Sequence, residues 1–166
     1  NDAWWGAYGA NAVHFSVLQE YMAAKIGVPV GVYRQFSNNL HLYTDIVPAE
    51  RITMFALDAH SSDRYNTTHA HLEPVRMVDC DVYDWDRDLH RLVSRDGIPN
   101  ENGWHSKFMR DVARPMYMAH DAWRHKQYDE ADELVLTVAA WDWRIAAMEW
   151  LDRRHNTRKA KEQARG

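Results

Sequence analysis

A single cysteine, Cys80, stands among 166 residues. That excludes an intramolecular disulfide framework and fits a reducing compartment, so a cytoplasmic protein is expected. No apolar run approaches the roughly 20 residues of a membrane span, and no basic leader precedes a signal-like core, so no membrane is expected among the partners. Positive charge is also short: 20 Lys and Arg against 24 Asp and Glu leave a formal net charge of −4. A binder of nucleic-acid polymer needs a basic face to neutralise phosphates, and this balance gives none. A small anionic nucleotide differs, because one local pocket of donors suffices. Tryptophan is abundant, with eight residues, read here as builders of core and interface rather than platforms for bases. At 46% hydrophobic and 27% charged, the chain reads as about one soluble globular domain. It begins without a methionine, and a fragment or processed product is expected.

The most informative stretch runs from Asn11 to Tyr43. Winding residues 10–26 as a helix gathers Ser16, Gln19 and Glu20 on one narrow arc and leaves apolar side chains around most of the rest, which predicts a buried helix. Gly27 is a stop signal and Pro29 prevents resumption. From Val30 the period becomes two. Val30, Val32, Phe36, Leu40 and Leu42 share one side of an extended chain, with Arg34 and Asn38 as exceptions; Gly31, Tyr33, Gln35, Ser37, Asn39, His41 and Tyr43 share the other. That second side is a row of neutral donors and acceptors with two aromatic rings, suited to a flat polar ligand. An ordinary edge strand with a wet outer face is the alternative.

Asn11 opening an apolar helix, Val30-Gly31, and Asn38-Asn39-Leu40-His41-Leu42-Tyr43 together resemble the thymidylate synthase family and its pyrimidine hydroxymethylase relatives. Asn1-Asp2-Ala3-Trp4-Trp5-Gly6 is similar to that family's Ser-x-Asp-x-x-x-Gly entry. The resemblance implies an α/β (α+β) fold, a thymidylate-synthase-like sheet with a long buried helix behind it, to which a C-terminal helical hairpin is appended. It implies a methyl or hydroxymethyl transfer to C5 of a pyrimidine deoxynucleotide, with methylenetetrahydrofolate as donor and a homodimer packed sheet to sheet. The mobile apolar C-terminal segment that closes over the folate has no counterpart here.

Such a transfer needs a nucleophile at C6 of the ring, a hydrogen-bonded ring edge and a fixed sugar. The carboxamide of Asn11 matches the O4 and N3–H edge of uracil, which favours dUMP; relatives acting on cytosine tend to carry aspartate there. A structural helix cap is the rival role for Asn11. By resemblance His41 and Tyr43 hold the sugar hydroxyl, Asp2 lies beside the pyrimidine O2, and Asn39 replaces the family's aspartate. The family's Pro-Cys-His nucleophile and its phosphate-binding arginine and serine have no counterpart in this chain. Cys80, between Asp79 and Asp81, is read as structural. A catalytically silent nucleotide-binding module is therefore the alternative to the enzyme.

The remaining chain predicts a short helix after Asp45, strand character at Val75, Met77 and Val78, and a helix capped by Asp84 or Asp86 with Leu89, Leu92 and Val93 on its apolar side. Asp96-Gly97-Ile98-Pro99-Asn100 is a sharp break. Residues 1–99 are read as the nucleotide-binding portion, and 100–166 as a helical extension of the same domain. In that extension 103–125 and 129–155 predict two long helices, followed by a frayed basic tail. His60, His69 and His71 with Asp58 and Asp63 fit no metal-ligand spacing, so no metal is expected.

Overall fold

The computed structural model describes residues 3–45, 50, 53, 75–94 and 102–163. They fall into two compact units, residues 1–70 and 71–166.

In the first unit a π-helical segment, Ala3–Ala10, kinks at Gly9 and runs into α1, Asn11–Ile26. Gly27 ends α1 as expected: at φ 80° its N–H reaches the carbonyls of Ala23 (2.9 Å) and Ala24 (3.2 Å), closing the last turn in a conformation that glycine adopts cheaply. Two expectations fail here. The helix is not buried: Val13, Phe15, Leu18, Met22 and Ile26 are exposed, and Ala23 alone in α1 is buried. The α/β sheet is not found either, because the described residues contain no strand. Residues 28–40 form no ladder, and one isolated bridge at His41 is the whole of the β-pairing among the described residues. The alternation from Val30 describes one segment of chain by itself. A strand also needs a partner's backbone groups, and that pairing is long-range.

Two hydrogen bonds return this arm to the start of the chain, and a third braces one of them. The Ala3 N–H donates to the His41 carbonyl at 2.8 Å. The Gln35 side chain donates to the Ala7 carbonyl at 3.2 Å, while its own carbonyl accepts from the Tyr33 hydroxyl at 2.8 Å.

The second unit is helical and holds most of the buried residues. Its helices are α2 (Val82–Val93), α3 (Arg114–Arg124, entered through a π-helical turn Met109–Ala113), α4 (Tyr128–Leu136) and α5 (Trp141–Gln163). The expected strand at 75–78 is irregular, with a bend at 77–78. α2 starts earlier than expected, because Asp81 is its cap: the Asp81 carboxylate accepts from the Tyr83 N–H at 2.9 Å. Its buried side is Val82, Trp85, Asp88 and Leu92, while Leu89 and Val93 are exposed. A charged residue in the buried stripe hid that side from a count of apolar residues.

α3 and α4 form an antiparallel pair joined at His125–Gln127, with Lys126 left-handed at φ 66°. Ala119, Ala122, Ala131, Val135 and Leu151 make the core that α3, α4 and α5 share, with Trp123 and Trp150 packed on it. The predicted single helix over 129–155 is broken at residues 137–140. There Val138 and Ala140 are buried, the Ala139 N–H donates to the Asp111 carbonyl at 2.9 Å, and Arg144 Nε donates to the Val138 carbonyl at 2.7 Å. Tertiary partners thus replace the intrahelical ones. The basic tail, expected to fray, stays helical to Gln163. His155 lies 3.1 Å from Asp132, and the Arg158 guanidinium lies 4.1 Å over the Tyr128 ring.

Candidate functional site

Asn11 is the first residue of α1 and is half-buried. The residue before it, Ala10, is already helical, and no side chain caps the helix there. His41 is half-buried, with its carbonyl on the Ala3 N–H; Tyr43 is exposed. The rings of His41 and Tyr43 meet edge to face, 5.1 Å between centroids and 81° apart. Such an arrangement leaves imidazole nitrogens and a phenol close enough to address one small hydroxylic group. Asn39 is exposed on the bend that precedes His41. Asp2 lies outside the described residues, as do the short helix start after Asp45 and the cluster of Asp58, His60, Asp63, His69 and His71. Among the described residues no three His, Cys, Asp or Glu side chains are grouped to hold a metal ion.

The polar row on the arm divides in two. Tyr33 and Gln35 turn their polar atoms inward and fasten the arm to Ala7, while His41 and Tyr43 pair with each other. Nothing in the alternation distinguishes these jobs, since both are done by neutral side chains on one side of the chain. Between the arm and α1 lies a groove of about 570 Å³, lined among others by Phe15, Leu18, Gln19, Met22, Val32 and Phe36. Asn11, His41 and Tyr43 are not among its lining residues.

Cys80 is held in its thiol form. Partial burial comes first, then the negative charges of Asp79, Asp88, Asp84 and Asp81, which together push it from an ordinary 9.0 up to about 11. Its S–H points at the Asp81 carbonyl, 3.4 Å away. At pH 8 the thiolate is therefore about a hundredfold scarcer than for a free cysteine, and iodoacetamide is expected to alkylate Cys80 correspondingly slowly, with a rate that climbs until pH 11. The folded chain keeps this proton where the unfolded chain has lost it. Stability is accordingly full below pH 9 and declines as pH rises from 9 to 11.

No family model matches the chain, and no solved structure does. Two curated proteins do. A deoxyuridylate hydroxymethyltransferase of Pseudomonas phage M6 is 37% identical over 163 residues, which is 93% of this chain and 45% of that protein. A deoxyuridylate hydroxymethyltransferase of Bacillus phage SP01 is 49% identical over 45 residues, 27% of this chain and 12% of that protein. The chain thus spans less than half the length of the relatives it matches. The resemblance to pyrimidine hydroxymethylases read from the sequence stands at that level: over 93% of its length the chain is homologous to a segment, 45%, of the phage M6 protein.

Proposed function

We propose that this chain is the nucleoside-holding part of a pyrimidine deoxynucleotide hydroxymethyltransferase, with dUMP as the favoured substrate. What carries the reading is the 37% identity over 93% of the chain to a protein of that activity by name. The His41–Tyr43 ring pair supports it, because two hydrogen-bonding rings 5.1 Å apart suit a sugar hydroxyl. Asn11 would read the uracil edge, its carbonyl accepting from N3–H and its amide donating to O4. Asp2 would lie beside O2, and Asn39 near the turn that presents His41. A homodimer goes with this reading, and the exposed apolar side chains of α1 supply surface that a second copy could cover.

The carbon would come from methylenetetrahydrofolate, which supplies a one-carbon unit at the oxidation level of formaldehyde. The groove over α1 does not by itself fit a pterin: Val32 and Phe36 on its wall are 78% and 90% exposed and grip nothing. The donor is accordingly assigned to the whole protein and not to these residues. Calorimetry of the chain with dUMP and with dCMP tests the assignment. Saturable binding with dUMP the tighter is expected, and absence of any dUMP binding would refute it.

The suppressed thiol of Cys80 favours a second reading, in which the chain holds a nucleotide without activating it. Release of tritium from C5 of labelled dUMP requires a nucleophile at C6. Binding without release by this chain is what the silent reading predicts, and release would exclude it.

A further inference from the structure

The second unit contains a cavity that the nucleotide reading leaves unused. It lies between α3, α4 and the first half of α5, measures about 320 Å³, and is walled by Met116, His120, Val135, Trp143, Ala147 and Trp150, among others. That is about twice the roughly 150 Å³ at which an apolar cavity takes up benzene, so a fused two-ring system has room. Trp143 and Trp150 stand two turns apart on α5, and the small side chains of Ala146 and Ala147 leave the turn between them open.

Both indoles are braced by other aromatic rings. Trp143 meets Phe108, itself buried, at 5.4 Å and 71°; Trp150 meets Trp123 at 5.8 Å and 76°. Walls fixed in this way do not have to be ordered when a ligand arrives, which lowers the cost of binding. No charged side chain lines the cavity. Its polar side chain is His120, 5.7 Å from the Trp150 ring, and the nitrogens of His120 make no hydrogen bond among the described residues.

We propose that this cavity binds a small, neutral, planar aromatic molecule, its rings against the indoles and a ring N–H turned to His120. Fluorine NMR of 5-fluoroindole with the whole chain tests it. A saturable shift is expected below about 1 mM. Ala147→Met, which fills the floor, is expected to weaken binding at least about tenfold. Ala146→Leu, at an exposed position, narrows the opening without touching the core, is expected to weaken binding by a similar factor, and keeps the test valid if Ala147→Met fails to fold. His120→Ala should weaken 5-fluoroindole but not fluorobenzene, which has no N–H to offer. A shift that stays linear into the millimolar range, or equal saturable binding by the parent chain and folded Ala146→Leu, would overturn the proposal.

Discussion

Asp88→Ala is expected to lower the stability of the second unit by roughly 3–5 kcal/mol, a large share of the 5–15 kcal/mol that holds a typical domain together. Asp88 is completely buried on α2. One carboxylate oxygen accepts from two consecutive backbone amides, those of His105 at 2.7 Å and Ser106 at 2.8 Å; the other lies 3.4 Å from the His105 ring and 4.0 Å from Arg91. Arg91 in turn donates to the Gly103 carbonyl and lies 4.9 Å over the Trp104 ring. Next along, Ser106 Oγ accepts from the Met109 N–H at 3.0 Å and Asp79 from the Phe108 N–H at 2.9 Å. Around the start of the helical turn at residue 107, the amides of His105, Ser106, Phe108 and Met109 are thus satisfied by three side chains, those of Asp79, Asp88 and Ser106. Truncation at 88 strands the buried donor of Ser106 and the part-buried one of His105, the former at about 1–3 kcal/mol, and leaves a void as well. Asp88→Asn keeps an oxygen for both amides and is expected to cost much less. Urea unfolding of the two variants measures the difference; a loss under about 1 kcal/mol for Asp88→Ala would mean that the carboxylate is incidental.

Asn11→Asp is expected to shift the ratio of dUMP to dCMP affinity by about ten- to a hundredfold toward dCMP. Uracil presents a donor at N3 and an acceptor at O4; cytosine presents the reverse, an acceptor at N3 and an amine at C4. A carboxamide complements the first pattern. A carboxylate accepts from the cytosine amine, faces O4 of uracil without a donor, and repels it. Each mismatch leaves a polar pair unmade inside a site, at about 1–3 kcal/mol. Calorimetry with both nucleotides before and after the change reads the ratio directly. α1 continues from a helical segment and has no side-chain cap at its start, and circular dichroism of the variant checks that the helix is kept. Unchanged preference in a folded variant would remove Asn11 from the ring edge. His41→Ala should weaken both nucleotides alike, since the sugar is common to them.

The sequence made the helical extent of α1 and its stop at Gly27 legible, because each rests on local chemistry: periodicity and a left-handed glycine. What covers α1 and what pairs with the arm were not legible, since both depend on residues distant in the chain. The same limit explains α2. A carboxylate in its buried stripe has meaning only once the amides of His105 and Ser106 are known to lie beside it. Likewise the break at 137–140 interrupts a run whose apolar spacing suits one long helix, and the cause is an acceptor at Asp111. Along the arm, the closeness of His41 and Tyr43 follows from their spacing, whereas the fastening role of Tyr33 and Gln35 was not legible. Those two have the same polarity and periodicity as their neighbours, and only the position of Ala7 distinguishes them.

The unequal burial of the two units has a consequence for how long each keeps its backbone protons. Around Ala131, Val135 and Val138, where side chains are sealed from solvent, deuterium should enter only when the whole unit opens. Along α1, with water on much of its circumference, local fraying suffices, so this helix should label first, and a nucleotide bound as proposed against Asn11 should slow it.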